Sequence, residues 1–295
     1  MSAIHAGDWP ANALAKPGYR LDFHDEFDCT ALDEQKWLPF HLPQWSSRAR
    51  SAPNYALHNN TLLLQITQDQ QPWCPEFDGQ NRCSSLQTGV FAGTIGSPIG
   101  QHRFSPACVV REPQESRRTY TPQYGYFEIR AKAVNTPANH VALWMIGYED
   151  APERSAEIAI MEIMGKDVTS QASHVGYGVH PWGDPSIVDA FYDDVFPLDA
   201  THYHIYAAEW SPTQIDFYID NQNTRTIDQS PAYPMQFMLG IYERPHEVDS
   251  TIVPNRASAY PKTFVIDYFR AYQPIDGYTP RLRSEREHSE CRSIL

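Results

Sequence analysis

Two carboxylates in one apolar run, Glu157-Ile158-Ala159-Ile160-Met161-Glu162, are the residues of this chain best equipped for chemistry. The run is short, apolar and free of Gly and Pro, so it reads as a buried strand. Two acids facing one cleft, one attacking and one moving a proton, are what cleavage of a glycosidic bond requires. Where configuration is retained their carboxyls stand roughly 5 Å apart. Side chains alternate along a strand, so Glu157 and Ala159 share a face and Glu162 points away. A β-bulge between the acids would bring both to one face, and bulges often sit beside active sites because they re-aim a side chain. Taken alone, an ExxxxE strand is more often a half-exposed strand with solvated acids.

The elements around the pair must hold it. Tyr19 to Asp28 reads as a short strand running into an acidic turn, and Leu32 to Trp37 as a helical turn ending in a buried Trp. Further strands are read at 61–67, 126–132, 141–147, 174–180, 235–242 and 263–272, with 204–210 and 215–221 as a hairpin. In Tyr126 to Lys132, Phe127, Ile129 and Ala131 fall on one face and Glu128, Arg130 and Lys132 on the other. Many short strands without βαβ alternation mean an all-β protein, an antiparallel sandwich or barrel. Residues 1–18 are expected to wrap the surface, 19–278 to form one domain, and 279–295 to be a disordered tail. The stretch 68–118 reads as a long connection, and long ordered loops tend to be functional.

Composition narrows the partners. The net charge of −13 argues against nucleic acid and anionic membranes and leaves neutral substrates open. Seventeen Tyr and seven Trp supply core packing or rings on which a sugar's C–H face can stack. Residues 1–16 carry neither a basic nor an apolar leader segment, and no run is long enough to span a membrane. The five cysteines have no metal spacing; Cys74 and Cys83 flank a polar stretch that a disulfide could close in an oxidising compartment.

Several segments in order resemble glycoside hydrolase family 16. They are Asp25-Glu26-Phe27-Asp28 with Lys36-Trp37, Tyr124 to Arg130, Ala142-Leu143-Trp144-Met145, the ExxxxE strand, His204-x-Tyr206-x-x-Glu209-Trp210, and Val265 to Tyr272. The resemblance implies a β-jelly-roll sandwich of two curved antiparallel sheets, concanavalin-like, with the substrate in a concave cleft. It implies retention of configuration, with Glu157 as nucleophile and Glu162 as general acid/base. The five-residue spacing is that of the laminarinase-like branch, which favours endo-acting cleavage of β-1,3-glucan, with mixed-linkage glucan and galactan as neighbouring substrates. One departure stands out: where the family's motif has an Asp two residues after the nucleophile, this chain has Ala159. That Asp looks like a partner that holds the nucleophile and biases the proton of the pair, so a slowed hydrolase is expected, with a glycan-binding protein as the alternative.

The resemblance also places Glu128, Arg130 and Trp144 along the cleft. His180 and Trp182, in His-Pro-Trp-Gly-Asp-Pro, are read as a loop presenting a stacking platform. Trp45 with Arg48 and Arg50, and Tyr242 with Arg244, are further rim candidates. No cofactor is expected for catalysis, while Glu26 and Asp267 match the positions at which the family holds a structural Ca²⁺ on the convex face. The expected partner is a polysaccharide or oligosaccharide, the expected state a monomer, and the family resemblance suggests an extracellular protein.

Overall fold

The computed structural model describes residues 7–245 and 260–278. The expected tail 279–295, Cys291 and most of the 242–262 loop lie outside the described residues. Among the described residues there are sixteen strands: β1 Tyr19–Asp25, β2 Asn54–Leu57, β3 Leu62–Ile66, β4 Arg82–Gln87, β5 Gly89–Val90, β6 Arg117–Arg118, β7 Gly125–Lys132, β8 Asn139–Gly147, β9 Glu157–Met164, β10 Ser173–His180, β11 Ala190–Phe196, β12 His204–Trp210, β13 Ile215–Ile219, β14 Gln222–Ile227, β15 Met235–Glu243 and β16 Lys262–Pro274. Fourteen of them make an all-β jelly-roll of two antiparallel sheets, and β5 and β6 pair as a separate two-stranded ribbon. The outer sheet runs β14-β13-β12-β7-β16-β3-β2, with β1 also paired to β16, and the cleft sheet runs β11-β10-β9-β8-β15-β4.

The main core lies between the sheets. Phe127, Ile129 and Ala131 of β7 meet Leu143, Met145, Ile158 and Phe237 of the cleft sheet there. The other face of the cleft sheet is not bare. Trp45, Trp73, Cys74, Cys83 and Cys108 form a second apolar cluster with Ala142, Trp144 and Ile146 of β8. Covering on both sides is why β8 is buried at every position and reads as a continuous apolar run. The stretch expected to be a long loop contains β4, whose Ser84 and Ser85 are fully buried. Cys74, Cys83 and Cys108 are free thiols, as is exposed Cys29, so the 74–83 disulfide does not form.

Glu128 and Arg130 do not line the cleft. They stand on the far side of the outer sheet, where residues 8–14 lie across them. Arg130 donates two hydrogen bonds to the Trp9 carbonyl and Asn12 donates one to Glu128, which leaves both side chains buried. β7 had been read correctly as alternating. Its polar face belongs to the sheet that does not carry Glu157.

The two acids of the calcium expectation stand on the same face. Arg270 grips Glu26 with two hydrogen bonds of 2.8 and 2.7 Å, and Arg130 donates to Asp267 at 2.7 Å. A bidentate guanidinium already matches the charge and lone pairs that a cation would need. Among the described residues no three His, Cys, Asp or Glu side chains converge on a point. The residues present therefore do not fit a calcium ion at Glu26 and Asp267.

Candidate active site

The anticipated bulge is present in β9. Against β8, Leu143 pairs with Met161 and Trp144 with Ala159, so Ile160 has no partner in the register. Ile160 and Met161, neighbours in sequence, both enter the core between the sheets. That surplus inward residue lets Glu162 return to the face that carries Glu157, and both acids line one cleft of about 400 Å³. Gly178 of β10 faces the bulge at Ala159 with φ 146°, and a Cβ there would lie 2.3 Å from the Ala190 carbonyl. Only glycine fits that position.

Trp144, His180 and Trp182 all reach the cleft, as expected. Trp144 is 7% exposed, directly opposite Ala159, and donates its indole N–H to Tyr242 Oη at 3.1 Å. His180 pairs in register with Glu157, and its Nδ1 lies 2.6 Å from Asp189 Oδ1. Trp182 differs from the expected platform. It is 50% exposed, yet its indole N–H donates to Glu157 Oε2 at 2.7 Å. An orienting contact for Glu157 therefore exists without an acid at 159, and it comes from the loop after β10.

Tyr242 and Arg244 are cleft residues as read. Trp45 is not, since it is fully buried with its N–H donated to the Gln101 carbonyl. The rest of the wall was missed: His41, Trp73, Asp78, Asn81, His102 and Phe104 come from segments with no periodic signal. Burial holds His41 down to about 3 and His102 down to about 4, so both are neutral imidazoles at ordinary pH. Trp73 donates to Asp78 at 2.6 Å, and Asn81 donates to the same carboxylate. Among the described residues of the lining, Arg244 is the one guanidinium and no lysine appears.

Two buried carboxyls in one cleft cannot both ionise easily. Burial and then the charge of Glu162 push Glu157 up to about 8. Burial acts in the same sense on Glu162, but His140, whose Nε2 is 3.3 Å from Glu162 Oε2, together with Arg244 and His180, outweighs it and lowers that carboxyl. The sequence reading had put the raised carboxyl at 162. The histidine on the neighbouring strand, absent from that reading, is the largest of the influences that reverse the order.

Comparison with known proteins follows this geometry. The family model for glycosyl hydrolases family 16 matches residues 113–270. The structure superposes with TM-score 0.79 on a GlcNAcα1-4Gal releasing endo-β-galactosidase from Clostridium perfringens, 35% identical, covering 93% of this chain and 67% of that one. A laminarinase from Flavobacterium sp. UMI-01 shares the fold at TM-score 0.57 and 21% identity, over 86% of this chain and all of the other. A β-glucanase of Bacillus subtilis is 33% identical over 143 residues, 47% of this chain and 54% of that protein, so the chain spans about half the length of this curated relative. With the family match over more than half its length and both acids of the motif turned into one cleft, the chain belongs to glycosyl hydrolase family 16.

Proposed function

We propose that this chain is a retaining endo-β-galactosidase acting on neutral, galactose-containing glycans. The observation that carries the reading is the 35% identity to an endo-β-galactosidase along 93% of the chain. The cleft lining supports a neutral substrate: His41 and His102 are uncharged hydrogen-bonding partners, and among the described lining residues Arg244 is the single fixed cation for an acidic sugar. In the first step Glu157 attacks the anomeric carbon, the glycosidic C–O bond breaks, and Glu162 gives its proton to the departing oxygen. In the second, Glu162 takes a proton from water, the water oxygen bonds to the anomeric carbon, and Glu157 leaves. Trp182 holds Glu157 as its charge forms and is released, which is the role the family motif gives to the acid missing at 159.

Cleavage of β-1,3-glucan is the second reading, favoured by the 143-residue likeness to a β-glucanase. A panel of neutral mucin-type glycan, keratan sulfate, laminarin and mixed-linkage glucan, scored for new reducing ends beside Glu157→Gln, separates the two. Cleavage of the galactose-containing glycan alone is expected. Cleavage of laminarin with none of the galactosidic substrates overturns the proposal, and binding without cleavage of any makes the chain a glycan-binding protein.

A further inference from the structure

His140 takes no part in the two steps above. It stands in β8, and strand alternation puts it on the cleft face with Ala142 and Trp144. It is 4% exposed, its Nε2 lies 3.3 Å from Glu162 Oε2, and neither ring nitrogen makes a directed hydrogen bond. Its ring leans on Tyr242 with centroids 5.4 Å apart. Burying an imidazole with both nitrogens unpaired is costly unless the charge beside it compensates. Between the two glutamates Ala159 offers no polar side-chain atom. The site thus lacks an acid between its glutamates and has a base at the end of the row.

We propose that His140 is the positioning residue that decides which of the two glutamates holds the shared proton. The proposal rests on the double-displacement reading and adds its control. A charged His140 keeps Glu162 ionised as its partner, so the proton sits on Glu157 and neither acid is ready. Loss of the His140 proton removes that attraction. The pair's proton passes to Glu162, and Glu157 ionises against the Trp182 N–H. The working state therefore holds one proton fewer than the blocked one, and nothing else is consumed. The charged or titratable groups facing His140 are Glu157 and Glu162 on β9, His180 on β10, and Tyr242 with Arg244 at the end of β15; His41 lies beyond Tyr242. Arg244 and His180 also pull on Glu162, more weakly than His140.

The test is His140→Gln, which keeps a polar side chain that never carries charge. The acid limb of kcat/KM is expected to move down by about one pH unit or more, with the basic limb in place. Ala159→Asp is expected to raise activity more in the His140→Gln background than in the parent. Carboxyl ¹³C NMR of the unliganded parent reads the proton directly: the His140 ring, Glu162 and Glu157 should share one inflection, which disappears from both carboxyls in His140→Gln. A uniform loss of activity with an unmoved acid limb, or carboxyl titrations that ignore the His140 inflection, overturns the proposal. The NMR arm needs no substrate, so a wrong choice of glycan leaves it decisive.

Discussion

Trp182→Phe separates two roles for one side chain. The substitution keeps an aromatic ring on the loop and removes only the N–H that reaches Glu157 Oε2 at 2.7 Å. A hydrogen bond to a charged group contributes about 1.5–3 kcal/mol, which corresponds to roughly 10- to 150-fold in rate. Half the indole is exposed while Glu157 is 5% exposed, so solvent can partly replace the lost donor and about tenfold in kcat is expected. The sign with pH follows from the same bond. The N–H favours ionised Glu157, whose carboxyl burial already raises to about 8. Removing the donor raises it further, so the acid limb of kcat/KM moves to higher pH, opposite to the shift expected for His140→Gln. The assay is initial release of reducing ends across pH on the cleaved glycan, with kcat and KM resolved. An unchanged kcat with a raised KM would refute the reasoning and make Trp182 a sugar platform alone.

Glu157→Gln should abolish turnover and leave the unfolding midpoint unchanged or higher, because a buried carboxyl that resists ionising is replaced by a neutral amide of the same shape; circular dichroism and reducing-end assays check both. Deleting Ile160 should keep both acids on the cleft face, since a regular alternation then runs from Glu157 to Glu162, at a cost of about 2–5 kcal/mol for the lost core side chain; denaturant melts and a residual rate above that of Glu157→Gln would show it. Arg270→Met leaves partly exposed Glu26 without its guanidinium and should lower stability by about 1.5–3 kcal/mol, read from urea unfolding. Adding calcium or a chelator should leave the melting temperature unmoved, because guanidinium groups occupy the acids of the convex face.

Much of the site was legible because the chemistry is written in spacing. An odd separation of two acids in a strand demanded an irregularity, and Ile160 supplies it. β7 was legible as a strand but not in its sheet, since alternation gives two faces without saying which layer covers either. Glu128 and Arg130 were misplaced for that reason. β4 was missed because Arg-Cys-Ser-Ser-Leu-Gln looks like loop; its Ser84 hydroxyl is satisfied by the Gln65 carbonyl, a partner that only the fold provides. His140 was within reach, because two steps of alternation from Trp144 place it on the cleft face, but a strand begun at Val141 leaves it out. His41 and His102 gave no signal, since burial and neutrality come from loops whose shape no local pattern encodes.

The residues laid over the outer sheet carry a consequence for the order of assembly. Asn12 contacts Tyr268 across 256 positions, and the carbonyls of Asn12 and Leu14 accept from Arg270 and Tyr272 across 258. On a chain emerging from the ribosome, the earliest of these residues must wait for the last strand before they have anywhere to dock. Until β16 arrives, the polar row of β7 stays in water. Closure of the back of the molecule is thus a late step governed by long-range contacts.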